Sequence, residues 1–339
     1  MKILIDAFGG DNAPKEVVAG TVNAVNEKEG FTAVLVGMEQ AIKDELKNYS
    51  YPEGRIEILN ADEVITCEEE PTKAIRKPNS SIRVAFKALK ENEEMNAFVS
   101  AGSTGAVLVG ATLKTVFGKI NGVDRPALCP VMPTFVDGKQ VLLLDSGANA
   151  DCKPINLCQF ALMGSAFAEA MGVENPKVAL LSNGTEDEKG NALNHEVFPI
   201  LKNMKTINFC GNTEARDLLS GEYDVIVADG FSGNVALKSM EGALKGMLKL
   251  LKGAIYSSLS GKIGGMFLKK KITALKDKLD YSKQGGALFL GVHKPVVKAH
   301  GSSKRDSIKA CIYQAIRAAE NNVSDKITEK LLGEEISFQ

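Results

Sequence analysis

Six short stretches of the chain carry the residue types from which phosphate chemistry is built. "ILIDAFGGD" (3–11), "AFVSAGSTGA" (97–106), "VLLLDSGAN" (141–149), "VALLSNGTE" (178–186), "VIVADGFSGN" (225–234) and "VVKAHGSS" (296–303) each pass from apolar residues to a small or polar residue and then glycine. Glycine lets backbone N–H groups approach a ligand closely, and the neighbouring Ser, Thr, Asn and His add further donors. Any one of these turns fits a purely structural bend, but bends alone do not need the recurring polar neighbours. "SAGSTGA" is the best anion cradle: Gly102, Ser103, Thr104 and Gly105 are placed to open a helix, where the first N–H groups have no intrahelical acceptor. The first turn has the same pattern, yet its two carboxylates, Asp6 and Asp11, are poor phosphate ligands. With Gly9 and Gly10, and with Asp145, Asn149, Asp229 and Gly230 of later turns, they are expected to shape a cleft by capping helices and binding loop N–H groups.

Other candidates are weaker. "PTKAIRKPNSSIR" sets Arg76, Lys77 and Arg83 around a Ser80/Ser81 helix start, and a solvated basic turn explains it equally well. In "SNGTEDEKGN", Lys189 stands among carboxylates just after Asn183 and Gly184, the composition of an exposed charged turn. His300 closes an apolar run immediately before Gly301, a position on a loop rim that favours function over core packing. The chain has no P-loop lysine motif, strict dinucleotide fingerprint, nucleophile elbow or His/Cys metal cluster. Anion handling without a cofactor or a metal is what remains.

Between the glycine turns lie helix-period segments such as "SSIRVAFKALKEN" and "KPINLCQFALMGSAFAEAMG". That alternation predicts an α/β fold with a doubly wound, mostly parallel sheet covered by helices on both faces. Ligands of such sheets bind in a crevice at the C-terminal strand ends, so all six turns are expected to face one cleft. The 339 residues suit one α/β unit spanning 1–339, or two lobes around a cleft. A formal net charge of -1 argues against nucleic-acid binding, and 44% hydrophobic residues argue against disorder. Six cysteines without a Cys-x-x-Cys pair predict reduced, mostly buried thiols. No apolar run reaches the ~18 residues of a membrane span, and the chain enters strand residues at once, which predicts a cytoplasmic protein without a signal peptide.

From Ala243 to Leu279 the texture changes to nine lysines and one acidic residue, Asp277, interleaved with Leu, Met, Ile and Phe. Two helical halves meeting near "SLSGKIGG" predict a protruding helical hairpin over 243–279. Lysines on several faces, with Ile255, Leu259, Ile263, Met266, Phe267 and Leu268 near the bend, suit an exposed arm for an anionic membrane or an acidic protein.

The ordered set "DAFGGD", "SAGSTGA", "DSGANAD", "SNGTEDEKG", "DGFSGN", "GGALFLG" and "HGSS" closely resembles the bacterial phosphate acyltransferase (PlsX) family of phospholipid synthesis, from Ile3 to about Ala319. Phe8 stands where the family usually has Met, and Ser103 where it usually has Asn; a hydroxyl still donates a hydrogen bond. The resemblance implies a fold similar to the isocitrate and isopropylmalate dehydrogenases. It also implies a homodimer bound peripherally to membrane that moves an acyl group from acyl carrier protein to inorganic phosphate. A membrane glycerol-3-phosphate acyltransferase then consumes the acyl phosphate. On this reading Gly102–Gly105 cradle phosphate and Lys189 supplies positive charge to phosphate or oxyanion. Asn183, Asn234 and His300 orient the carbonyl or serve the departing thiol. Lys262, Met266, Phe267, Leu268, Lys269, Lys270 and Lys271 meet the carrier protein, the membrane or both. Three rivals remain open here: a nicotinamide-dependent hydroxyacid dehydrogenase of related fold, a kinase-like phosphotransferase, and a non-catalytic membrane scaffold.

Overall fold

The computed structural model describes residues 1–279 and 285–336; Ser337–Gln339, the end of the expected unit, lie outside the described residues. The strands are β1 (Lys2–Asp6), β2 (Thr32–Gly37), β3 (Ile56–Asn60), β4 (Met95–Ser100), β5 (Ala127–Pro133), β6 (Gln140–Leu144), β7 (Lys177–Ser182), β8 (Asn208–Glu214), β9 (Val225–Val227), β10 (Ala287–Leu290) and β11 (Val296–Lys298). The helices are α1 (Lys15–Glu27), α2 (Glu39–Leu46), α3 (Pro71–Ala74), α4 (Ser81–Glu91), α5 (Thr104–Thr112), α6 (Pro154–Ala170), α7 (Ala192–Asn203), α8 (Gly230–Ile255), α9 (Leu259–Leu279), α10 (Arg305–Glu320) and α11 (Val323–Leu332).

One mixed sheet of 11 strands runs through the molecule in the order β3-β2-β1-β4-β11-β10-β5-β6-β9-β7-β8. Strand residues alternate between two apolar layers: Ile3, Ile5, Val99 and Val297 face α1, α6 and α10, while Leu4, Phe98 and Val296 face α4 and α5. On the α4/α5 side of the second half of the sheet, Met132, Val141, Leu143 and Ile226 pack against Leu237 of α8. Helix α6 is buried along nearly its whole length, which explains why its sequence is apolar on every side.

The strand directions correct the expectation of a single crevice. β1, β2, β3, β4 and β11 are parallel, but the steps β11/β10, β10/β5 and β5/β6 are all antiparallel. Three reversals leave β6, β7, β8 and β9 pointing opposite to the first group. Turns after β1, β4 and β11 therefore leave the sheet at one edge, and turns after β6, β7 and β9 at the other. The reversing strand β10 follows directly on the arm, so an alternation count alone does not reveal it.

The helical arm is present, with different limits. Its first helix, α8, is continuous from Gly230, and the chain bends at Tyr256–Ser258, ahead of the glycines expected to form the tip. Gly261 and Gly265 instead sit in α9 and let it cross the end of α8: a Cβ on Gly261 would lie 2.0 Å from the Ile255 carbonyl oxygen. All six cysteines are free thiols; Cys129, Cys158 and Cys311 are buried, whereas Cys67 and Cys210 are exposed. Among the described residues no helix is long and apolar enough to cross a membrane.

Candidate active site

At the first sheet edge, three turns lock together around Asp6. This carboxylate is buried at the end of β1, where it accepts the Ser100 hydroxyl at 2.7 Å and the Phe8 N–H at 3.3 Å; burial pushes its pKa up. Ser100 Oγ in turn accepts the Gly102 N–H at 3.0 Å, so the β4 turn is held in place by the β1 carboxylate. The approach is close enough to demand glycine, since a Cβ on Gly9 would meet both Asp6 Oδ2 and Gly102 N at 2.6 Å. Gly10 has φ +92°, and the next residue, Asp11, donates its N–H to the Gly301 carbonyl at 2.8 Å. Ser103 caps α5 by accepting the Ala106 N–H, which leaves its hydroxyl hydrogen and the exposed Thr104 side chain free to donate. The first-turn N–H groups of Thr104 and Gly105 have no acceptor among the described residues, so the turn keeps free donors at the positive end of α5. Gly105 has a packing role as well: a Cβ there would lie 2.5 Å from Pro71 Cγ.

The turn of β11 borders this cradle. His300 is exposed, and its Nδ1 accepts the Ser302 N–H at 3.2 Å and lies 2.8 Å from Ser302 Oγ. That geometry assigns the proton of the neutral imidazole to Nε2. Partial burial, then the charges of Lys238 and Lys298, lower its pKa. Ser302 thus serves His300, and the N-cap of α10 is Lys304.

The turns at the opposite edge are closed on themselves. Asp145 is buried, and its two oxygens accept N–H groups from Leu128, Gly147, Ala148 and Asn149 and the Asn149 amide, at 2.6–3.1 Å. Gly230 N–H donates to the Asn149 carbonyl at 2.8 Å, Asp229 caps α8 through the Ser232 N–H at 2.8 Å, and the Asn234 amide donates to the Ser146 carbonyl at 3.0 Å. Asn183 and Lys189 share the β7 turn and are both exposed. Gly184 leaves room for the lysine stem, which would lie 2.7 Å from a Cβ there.

Strand direction sets His300 at the end of β11 and Asn183 and Lys189 at the end of the oppositely directed β7, while Asn234 lies one turn before Lys238, which is within electrostatic range of His300. The His300 turn borders the Gly102–Gly105 turn, Asn234 fixes α8 to the β6 turn, and Asn183 and Lys189 lie at the other sheet edge. The reason is the strand reversal, which separates turns that look equivalent in sequence. The second basic turn also has its own partners, with Ser80 capping α4 and Lys77 paired to Glu69 at 2.6 Å.

Helix α8 connects the two edges. One face, with Phe231, Val235, Ala236, Met240 and Leu244, forms the wall of an apolar groove of about 820 Å³, completed by Leu181, Leu218, Leu219 and Phe135. Asn183 and Arg216 stand at its polar rim. The adjoining face of α8 carries Lys238, Glu241 and Lys245, all within electrostatic range of His300.

Comparison with known proteins decides among the rival chemistries. Residues 1–326 match a family described as fatty acid synthesis protein. A phosphate acyltransferase of Bacillus cereus (strain B4264) is 48% identical over 329 residues, covering 96% of each chain. The chain belongs to the phosphate acyltransferase family. It is accordingly an enzyme of acyl transfer to phosphate, and a dehydrogenase activity is not favoured. A phosphotransacetylase of Streptococcus pyogenes superposes with a TM-score of 0.63 at 15% identity, covering 95% of this chain and 94% of that one. A putative 4-hydroxythreonine-4-phosphate dehydrogenase of Salmonella typhimurium superposes with a TM-score of 0.55 at 12% identity, covering 93% and 98%. At these identities the two structures speak to the fold alone, which is the dehydrogenase-like α/β fold expected from sequence.

The first edge also holds a buried charge that the sequence alone does not single out. Lys298 is only 7% exposed, at the end of β11, and desolvation pushes its pKa down to about 8. The signal was visible in "VVKAHGSS", where a single ammonium ends an otherwise apolar strand directly before a glycine turn.

Proposed function

We propose that the enzyme transfers a fatty acyl group from an acyl carrier protein thioester to inorganic phosphate at the first sheet edge. The observation that carries this reading is the dual role of α8, whose one face walls an acyl-sized apolar groove while the next faces His300. From Phe231 to Leu244 the helix advances about 20 Å, room for a long acyl chain laid along it. We place the thioester toward the Leu244 end, alongside the stretch of α8 (Lys238, Glu241 and Lys245) that is in electrostatic range of His300.

A phosphate oxygen attacks the thioester carbon, the C–S bond breaks, and the carrier thiol leaves. Phosphate is itself the nucleophile, so the protein has only to hold it in line and stabilise the oxyanion. The N–H groups of the α5 start and the Ser103 and Thr104 hydroxyls hold phosphate; His300 Nε2–H donates to the developing oxyanion or the departing sulfur. A second reading follows from Asn183 lining the groove beside exposed Lys189: the acyl chain runs the other way and Lys189 supplies the charge.

The arm supports a place at the membrane surface. α9 exposes Met266, Phe267 and Leu268 beside Lys269, Lys270 and Lys271, with Lys262 one turn earlier, a surface suited to anionic lipid or to an acidic carrier protein. We take the working form to be a homodimer that delivers acyl phosphate to a membrane glycerol-3-phosphate acyltransferase. The central test mixes the purified enzyme with acyl carrier protein thioester and phosphate. Phosphate-dependent release of free thiol is expected, and its absence overturns the reading.

A further inference from the structure

We infer that Lys298 is a phosphate-binding residue, whose ammonium supplies the buried positive charge that holds the acceptor between the 102–105 and 300–303 turns. The inference rests on the placement of phosphate at this sheet edge. In register, Lys298 is paired with Ser100 on β4, and Ser100 is bonded to Asp6 on β1, so the three side chains stand side by side on one face at the C-terminal edge of the sheet. That is the edge from which α5 starts with its open N–H groups.

The bonding of the lysine is incomplete. Among the described residues Nζ donates to the carbonyl of Ala299 alone, which leaves two N–H bonds without an acceptor and no carboxylate in an ion pair with it. Asp6, hydrogen-bonded to Ser100 and Phe8, and Asp11 both act on the lysine through space without pairing with it. Cys67, ahead of α3, and Cys311 on α10 complete the titratable surroundings, with His300 in the adjoining turn. Cys311 is neutral near pH 7, because burial raises its pKa to about 12. A buried ammonium without a counter-ion is costly, and a mere support for the Ala299 carbonyl does not require a charge. A phosphate dianion satisfies both the charge and the two free N–H bonds.

The test measures the KM for phosphate and the KM for the acyl carrier protein thioester separately. Lys298→Met is expected to raise the phosphate KM by about 10- to 100-fold while moving the donor KM by less than about twofold. In the unaltered enzyme the phosphate KM should rise as pH climbs from about 7.5 to about 9.5, where phosphate is already a dianion and the lysine loses its proton. Lys298→Arg should carry that rise out of the range, since guanidinium stays charged. A flat alkaline profile, or a folded Lys298→Met enzyme with the original phosphate KM, overturns the assignment. If Lys298→Met does not fold, the profile of the unaltered enzyme decides. If the unaltered enzyme releases no thiol, the functional reading fails instead, and calorimetric titration with inorganic phosphate over the same pH range still decides for Lys298: affinity lost on the alkaline side supports it, and absent or pH-independent binding overturns it.

Discussion

The Asp6 carboxylate accepts the Ser100 hydroxyl at 2.7 Å across the neighbouring strands β1 and β4. Through that hydroxyl, which also accepts the Gly102 N–H, a buried carboxylate sets the position of the turn that opens α5. A carboxylate thus holds still the donors proposed to bind phosphate without itself facing the anion, because its oxygens accept the Ser100 hydroxyl and the Phe8 N–H.

Ser100→Ala should be destabilising and should weaken phosphate binding. It leaves the Gly102 N–H buried without its acceptor and removes a hydrogen bond from Asp6, which costs about 1–3 kcal/mol. Urea unfolding is expected to show a lower midpoint with an unchanged slope, and transfer kinetics a raised phosphate KM. An unchanged midpoint would mean that the pair does not tension the turn.

His300→Ala and Lys189→Ala distinguish the two ends of the groove. With the thioester at the Leu244 end, His300→Ala should lower kcat/KM by about 10²- to 10⁴-fold, the usual range for a positioned proton donor. Lys189→Ala, at the other sheet edge, should lower it by less than about threefold and leave the melting temperature unchanged, as befits an exposed side chain. The reverse ranking would establish the opposite orientation of the acyl chain.

Much of this was legible in the sequence, for physical reasons. The glycine turns could be read because their backbone contacts exclude any side chain, as Gly9 does beside Gly102, and the alternation of apolar strands with amphipathic helices gave the sheet. Direction within that sheet was not legible: β10 and β6 are as apolar as their neighbours, and nothing in an apolar run encodes which way it points. Lys298 is hard to read because an ammonium in a strand usually means an exposed face, and only the assembled sheet, with Lys298 beside Ser100 of β4, shows that it is buried. The bend of the arm was misplaced because glycines that permit helix crossing look like turn glycines.

Arm variants should separate carrier protein from membrane. Lys269→Glu, Lys270→Glu and Lys271→Glu together reverse the charge an acidic carrier protein would meet, so donor kcat/KM should fall and lose its salt dependence. Phe267→Glu places a charge on a side chain that is 84% exposed and should abolish sedimentation with anionic vesicles while leaving soluble turnover intact. Vesicle binding that survives Phe267→Glu would remove the apolar bend from the membrane role.

Ala236→Phe tests the groove itself. Ala236 lies on the α8 wall between Phe231 and Leu244, so a benzyl group there fills the middle of the channel and leaves the Leu244 end open. A chain entering from that end is then stopped part-way. Long-chain donors should lose about 10- to 100-fold in kcat/KM, because several methylenes, each contributing roughly 0.8 kcal/mol when buried, are turned out into water. Short-chain donors should be unaffected, since they end before the obstruction. The ratio of long- to short-chain kcat/KM, measured at saturating phosphate, isolates this effect from any change at the cradle. A uniform loss for all chain lengths would indicate a displaced α8, and an unchanged ratio would show that the acyl chain lies elsewhere.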